Sequence, residues 1–468
     1  MNAKWLPIAA AVSMALSSGV VVAADADNGW EVHGYGRLGG QWNGDGASKM
    51  NTLGKQDYRT VTSMDENSNQ VELSVKKKFE GKNGVKGEFV TRAEYGNQNA
   101  GDTGYFVSSE GSLQTNRDDA QFEMKEAYVE LAGFDFLDKD TKIWAGQRYL
   151  NREQGILTKE FWKQSSGIGA GFQNGGFGMA VVSADDAGQV RYGDEKDYDG
   201  DSQPDANNFK FTSSVRTATS LNVFYYGLAA LGGTFDFDLK GMKQANTDAD
   251  AISNKHPVTG KYIKNADTGV GASIAYNRDY YGFKGWSKTA IAYGEGMASN
   301  RGVNFGSWNG LFGKDSSALF FTSYGVAELA PRLQLGSELT YWAPQHVDWG
   351  GDLDVARTIL ALQPSYKIND NLRLILTGSY ANEKVEDQNG KAQWGRTDVN
   401  TQFYALEVAT AFTVDADYWG RPQIKPFVTW VKSSDENASG AISIDSTKDN
   451  GKLSTSQVFF GVEAEVWF

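Results

Sequence analysis

An alternation of apolar and polar residues with a period of two, repeated almost end to end, constrains this chain more than anything else in it. Residues 456–468 show the pattern most plainly. One face carries Val458, Phe460, Val462, Ala464, Val466 and Phe468; the other carries Gln457, Phe459, Gly461, Glu463, Glu465 and Trp467. Side chains alternate across a β-strand, so this segment has one apolar side and one side bearing two carboxylates and an indole. A run of this kind crosses a bilayer as a tilted strand in roughly 10 residues. Soluble sandwiches also end in amphipathic strands, so this segment taken alone leaves both architectures open.

The rest of the chain decides between them. Alternating segments recur at 30–39, 70–79, 85–95, 120–131 and 141–150, with two short ones between 168 and 184. Further on they fall into hairpins: 221–228 with 234–242, 270–277 with 286–294, 318–329 with 333–342, 356–367 with 372–380, and 402–414 with 423–432. Asn83-Gly84 marks one tight turn. Long polar connections at 41–69, 96–119, 185–208, 244–268, 297–315, 383–397 and 433–454 alternate with such turns. Strands that all cross one slab sort their connections this way, which predicts an all-β fold, a transmembrane antiparallel β-barrel. At about 25 residues per strand and connection, the chain supplies about 16 to 18 strands, enough to leave an aqueous channel rather than a packed interior.

Composition closes off the alternatives. A mean hydropathy of −0.47 excludes a bundle of membrane helices. The one long apolar run follows Lys4 and reaches Ala23-Ala24, so residues 1–24 read as a secretory signal peptide and 25–468 as the barrel domain. An exported chain without cysteine has to rely on an extensive hydrogen-bonded framework. A net charge of −13 argues against nucleic acid as a partner. Only His33, His256 and His346 are available as imidazole bases, and none stands beside a serine or paired carboxylate in a catalytic pattern, so no enzyme is expected. No cofactor is expected either. Asp197 to Asp205 alternates oxygen ligands around Gly200, a pattern that suits Ca²⁺ or a plain solvated acidic loop.

The charged faces also carry rings. Tyr35 and Trp467 lie on the same sides of their strands as Arg37, Glu463 and Glu465. Sugars present apolar C–H faces and hydroxyl edges, so rings beside ionised groups suit a carbohydrate better than a bare ion. For Trp286 the lumen and the interfacial aromatic girdle are both open. A general diffusion porin would instead show arginines facing carboxylates without rings.

Four motifs then carry a resemblance. His33-Gly34-Tyr35-Gly36-Arg37 follows the signal peptide; Ile143-Trp144-Ala145-Gly146-Gln147-Arg148-Tyr149 leads through Arg152 to Ser166-Gly167-Ile168-Gly169-Ala170-Gly171. Asp417-Tyr418-Trp419-Gly420-Arg421-Pro422 and the ending Glu465-Val466-Trp467-Phe468 complete the set, in order along the whole mature chain. The chain resembles the maltoporin-type sugar porins of the Gram-negative outer membrane. That resemblance implies a barrel of 18 strands, a homotrimer, and a third loop folded inward over residues 152–167. It implies facilitated diffusion of maltose- or maltodextrin-type oligosaccharides, with another sugar or general diffusion as the alternative. Tyr35, Trp286, Trp419 and Trp467 match the aromatic slide, and Arg37, Glu72, Lys125 and Arg152 the polar track beside it. Phe161 stands in the constriction loop where the family has a tyrosine. Gln70 replaces a slide tyrosine and Lys159 a residue usually acidic, so the selectivity of the family does not carry over intact. The first-loop disulfide of the family has no cysteines here. The resemblance also implies a ring lent by a neighbouring subunit's second loop; no motif places it, and Tyr105 and Phe106 are the candidates.

Overall fold

The computed structural model describes residues 29–43, 46–47, 59–63, 68–81, 83–97, 122–186, 190–193, 209–212, 216–244, 254–255, 262–263, 266–305, 312–347, 353–387, 399–434 and 456–468. Its body is one antiparallel sheet closed on itself. The strands are β1 (Trp30–Asn43), β2 (Ser68–Glu80), β3 (Lys86–Asn97), β4 (Phe122–Ala132), β5 (Thr141–Arg148) and β6 (Gly167–Asn174). Then come β7 (Phe177–Asp186), β8 (Arg216–Ala230), β9 (Gly233–Gln244), β10 (Thr268–Tyr280), β11 (Phe283–Gly296) and β12 (Phe312–Ala330). The circuit ends with β13 (Leu333–Val347), β14 (Leu353–Asn369), β15 (Leu372–Asp387), β16 (Val399–Thr413), β17 (Gln423–Ser433) and β18 (Ser456–Trp467). Each strand pairs with the next, and β18 pairs back onto β1 from Tyr35↔Trp467 to Trp42↔Phe460. These 18 strands leave no edge in the circuit, which is what a sheet surrounded by lipid requires.

The two faces are inverted relative to a soluble protein. On β16, Leu406 and Val408 are 53% and 45% exposed on the outside, whereas Glu407 and Ala409 are each 2% exposed on the inside. β15 repeats this, with Leu376 and Tyr380 outward and Arg373, Thr377 and Ser379 buried inward. An apolar exterior around a polar interior is the signature of strands in lipid. On β18 the apolar face named above is the outer one: Val458, Phe460, Val462 and Phe468 are exposed, whereas Phe459 and Glu463 are buried.

Local chemistry explains the turns. Leu231-Gly232 and Tyr281-Gly282 both have two successive positive φ angles, 54° and 77°, then 48° and 93°. That is the two-residue turn whose twist matches the flanking strands. Phe79, Phe89, Phe177, Tyr225, Phe283 and Phe412 stand exposed near this end and form an aromatic girdle. The sorting of connections is looser than the sequence suggests. Residues 348–352 make a long-loop-side connection of only five residues, and the tight-turn side contains the nine-residue segment 414–422. The second exception has a structural cause, because that segment turns into the lumen.

The seam where the chain closes has its own packing. Gly34 and Phe468 exchange both backbone hydrogen bonds, at 2.9 and 3.1 Å. The Phe468 ring lies across Gly34, and a Cβ there would meet its Cζ at 2.4 Å. Small on β1 and aromatic on the last residue is therefore a matched pair.

Candidate functional site: a narrowed lumen lined with rings

The inward loop, residues 149–166, crosses the lumen instead of leaving the barrel. Its anchors are lumen-facing side chains of the opposite wall. Lys163 Nζ lies 2.8 Å from Asp238 Oδ2 on β9, and the Tyr226 hydroxyl donates to Asp238 Oδ1 at 2.5 Å. Lys240 Nζ donates to the carbonyls of Gln164 and Val303, each at 2.7 Å. Glu153 pairs with Lys288 at 2.6 Å and Glu160 with Arg301 at 3.2 Å. A short parallel pairing of Phe161–Ser165 with Val303–Phe305 adds backbone bonds. At the tip, Glu338 of β13 accepts from the amides of Leu157 and Thr158, at 2.7 and 3.1 Å, and from the Thr158 hydroxyl. Buried ions are tolerated only when paired, so these contacts lock the loop in one place.

A second inward segment, residues 59–63, narrows the lumen along β14–β16. Arg59 and Arg357 share Glu383, at 2.8 Å for Arg59 Nη2–Oε1 and 2.7 Å for Arg357 Nε–Oε2. The Ser63 amide and the Thr429 hydroxyl both donate to Glu407, at 2.8 and 2.6 Å. Val61, Leu157, Phe403 and Phe459 then pack into one buried cluster, which joins the two inward segments.

The rings named from sequence fall into two pairs. Tyr35 and Trp467 are cross-strand partners on the inner faces of β1 and β18. The Tyr35 hydroxyl is 3.5 Å from Glu465 Oε1, and the Arg421 guanidinium lies 4.5 Å from the Trp467 ring centre. At the tight-turn end, residues 414–422 fold inward because Tyr418 donates to Gln363 Oε1 at 2.7 Å and Gln334 donates to Asp417 Oδ1 at 2.7 Å. Arg373 Nη1 holds the Asp417 and Tyr418 carbonyls, both at 2.5 Å. This brings Trp419 within 6.5 Å of Trp286, with the rings 27° from parallel. Trp286 shares its side of β11 with Lys288, whose partner Glu153 is in the inward loop, and meets Tyr324 edge-on at 6.1 Å. It therefore faces the lumen and stands apart from the girdle. Phe161, like Trp467 beside Arg421, has a guanidinium against its ring. The Arg152 guanidinium lies 4.1 Å from its ring centre and 4.4 Å from that of Tyr149, so Arg152 covers one of its faces.

The polar residues form chains of charge. Arg37 Nε is 2.7 Å from Glu463, which Lys425 also meets at 2.8 Å. Arg421 is 2.6 Å from Glu465. Arg92 joins Glu72 to Glu126 at 3.1 and 2.8 Å, and Gln70 donates to Glu72 at 2.9 Å. Lys125 reaches Glu94 at 3.4 Å. Simple alternation would put Lys125 on the lipid side of Glu126; a one-residue bulge opposite Arg92 and Ala93 turns both inward. Gln147 supports the bulge by donating to the Met124 and Lys125 carbonyls, at 2.8 and 3.2 Å.

Lys159, at the loop tip with φ 58°, is surrounded by Arg37, Lys425, Glu463 and Glu465. Burial, then the neighbouring Arg37 and Lys425, push its pKa down to about 8 against the pull of the two glutamates. Among the described residues, no group of three or more His, Asp or Glu side chains is arranged to hold a metal ion. The acidic stretch 197–205, residues Tyr105 and Phe106, and the N-terminal segment 1–24 lie outside the described residues. Several site residues carry no sequence signal. Glu338 and Asp238 matter because of partners far along the chain, up to 181 positions away for Glu338.

A closed barrel with a water-accessible, loop-narrowed lumen and an apolar belt defines an outer-membrane porin. Residues 30–468 match the LamB porin family, and the chain belongs to that family. A maltoporin of Vibrio cholerae serotype O1 is 23% identical over 98% of each chain. Maltoporin 1 of Klebsiella pneumoniae subsp. pneumoniae is 23% identical over 76% of each. Among solved structures, Pseudomonas aeruginosa OccD3 is 10% identical and superimposes with a TM-score of 0.45 over 94% of this chain and 91% of its own. The protein is a channel of the Gram-negative outer membrane.

Proposed function

We propose that the protein is a passive channel for the facilitated diffusion of oligosaccharides, built as a homotrimer. The observation that carries the reading is the coincidence of lumen-facing rings with ordered ion pairs. Tyr35 and Trp467 lie beside Arg37, Glu463 and Glu465, and Trp286 stacks on Trp419 at the tight-turn exit. Rings take the C–H faces of a sugar, and the ionised side chains exchange hydrogen bonds with its hydroxyls. The charged groups are held by ion pairs and the rings by their neighbours, so a sugar meets binding surfaces that are already formed. The two named relatives are both maltoporins, which favours α-glucan-like sugars among neutral substrates.

Planar-bilayer conductance tests this directly. Added maltooligosaccharides should reduce the ion current in a saturable way, and Trp419→Ala should weaken that block several-fold, as expected for loss of about 1 kcal/mol of stacking. Current that no sugar reduces, in wild type and variant alike, would make the protein a general diffusion porin. Chemical cross-linking of the detergent-solubilised protein should give a ladder ending at three chains.

A further inference from the structure

The charges around the tip of the inward loop do not cancel among the described residues. On the β1–β18–β17 side, Arg37, Lys425 and Arg421 face two carboxylates, Glu463 and Glu465. Lys159 is added from the inward loop and forms no ion pair among the described residues. Among the described residues, four cations against two carboxylates leave a local excess of two positive charges. On the adjoining strands β2–β4, where Glu72 is the cross-strand partner of Tyr35, Arg92 and Lys125 meet three carboxylates, Glu72, Glu94 and Glu126. Arg152, stacked between Tyr149 and Phe161 with no carboxylate partner among the described residues, evens that count. The excess therefore sits on the wall that carries Tyr35 and Trp467, in a chain whose overall charge is −13.

The remaining charged groups of the inward loop are matched: Glu153, Glu160 and Lys163 each have an opposite charge on the far wall. Lys159 alone at the tip is left to something that passes. An ammonium offers three donors and a compact charge, and its strongest partner is an anionic oxygen. With its pKa at about 8, Lys159 still carries its proton at neutral pH.

We propose that the channel is selective for sugars bearing an anionic group, a uronate carboxylate or a sugar phosphate. The sugar ring lies on Tyr35 and Trp467, and the anion meets Lys159. The proposal rests on the oligosaccharide-channel reading and refines its substrate class. The other cations of the wall are already engaged by Glu463 and Glu465, so Lys159 can bind the anion without breaking a native ion pair.

The test compares matched probes on the full-length protein in planar bilayers at about 0.1 M salt, where charges are screened over about 10 Å. Trigalacturonate is set against maltotriose, and glucose 6-phosphate against glucose. An anionic sugar should block at about tenfold lower concentration than its neutral counterpart, about 1.4 kcal/mol. Lys159→Gln should abolish the preference and Lys159→Arg should retain it, which separates lost charge from a distorted loop. At 1 M salt the preference should shrink. Whichever pair shows the preference identifies the anionic group. If neutral sugars block as well as anionic ones, or if Lys159→Gln leaves the preference intact, this inference fails while the channel reading stands. If no sugar of either kind blocks, both fail.

Discussion

Lys159 has a proton to lose in an accessible range, and its neighbours fix the direction of the effect. Burial first, then Arg37 and Lys425, lower its pKa to about 8 against the opposing pull of Glu463 and Glu465. Above that pH the lumen loses one positive charge. The anion-over-cation permeability ratio, read from the reversal potential in a KCl gradient, should fall between pH 7 and 9 in the wild type. It should stay flat in Lys159→Gln. The same shift has a stability consequence of known sign. An unfolded lysine titrates near 10.4, so from about 8 upward the unfolded state holds more protons and folding becomes more favourable as pH rises. Below about 8 the cost of the buried ammonium is present in full.

The inward loop crosses the lumen, and Glu338 anchors its tip. It accepts two backbone amides and a hydroxyl from Leu157 and Thr158. Glu338→Ala leaves those donors buried without an acceptor, at about 1–3 kcal/mol each, so the tip should lift. The expected outcome is a higher single-channel conductance and weaker sugar block, with an unchanged β-sheet circular dichroism spectrum. Lys163→Ala strands Asp238 in the same way, and a broken buried pair costs about 3–5 kcal/mol. Unchanged conductance in both variants would mean that the loop is held by its backbone pairing alone. The loop's place in the chain is marked in the sequence, because motif and family resemblance bracket it. Its anchoring is invisible there, since each pair joins residues far apart along the chain. Lys125 was assigned to the polar track by resemblance; alternation alone would misplace it, because a bulge reverses the rule for one residue and no residue type announces it. Trp286 was ambiguous because a girdle ring and a lumen ring near a tight turn look alike until the strand's facing is known. The strands themselves were all located, because lipid outside and water inside write the period of two into every one of them. Several run further than was read, as Leu372–Asp387 does past Tyr380.

At the scale of the whole molecule, the protein is stabilised as a ring, and a ring is only as good as its closure. No disulfide can substitute, since the chain has no cysteine. The first and last strands must find each other across the entire length of the chain. Eight register pairs, from Tyr35↔Trp467 to Trp42↔Phe460, do this in the sheet. The Gly34–Phe468 exchange extends the ladder past them. Removing residues 456–468 would leave β1 and β17 as open edges, and each unsatisfied backbone group in hydrocarbon costs several kcal/mol. Such a chain should fail to insert. A finer test addresses the seam alone. Gly34→Leu places a side chain where the Phe468 ring now lies, with a first contact at 2.4 Å for the Cβ alone. The ring must then leave, taking with it the packing that holds the terminal hydrogen bonds. Heat-modifiable migration in detergent gels should then convert at a lower temperature than in the wild type. Gly34→Ala with Phe468→Leu, which trades volume across the same contact, should recover part of the loss. Equal conversion temperatures for Gly34→Leu and the wild type would show that closure depends on the eight register pairs and not on the terminal ring.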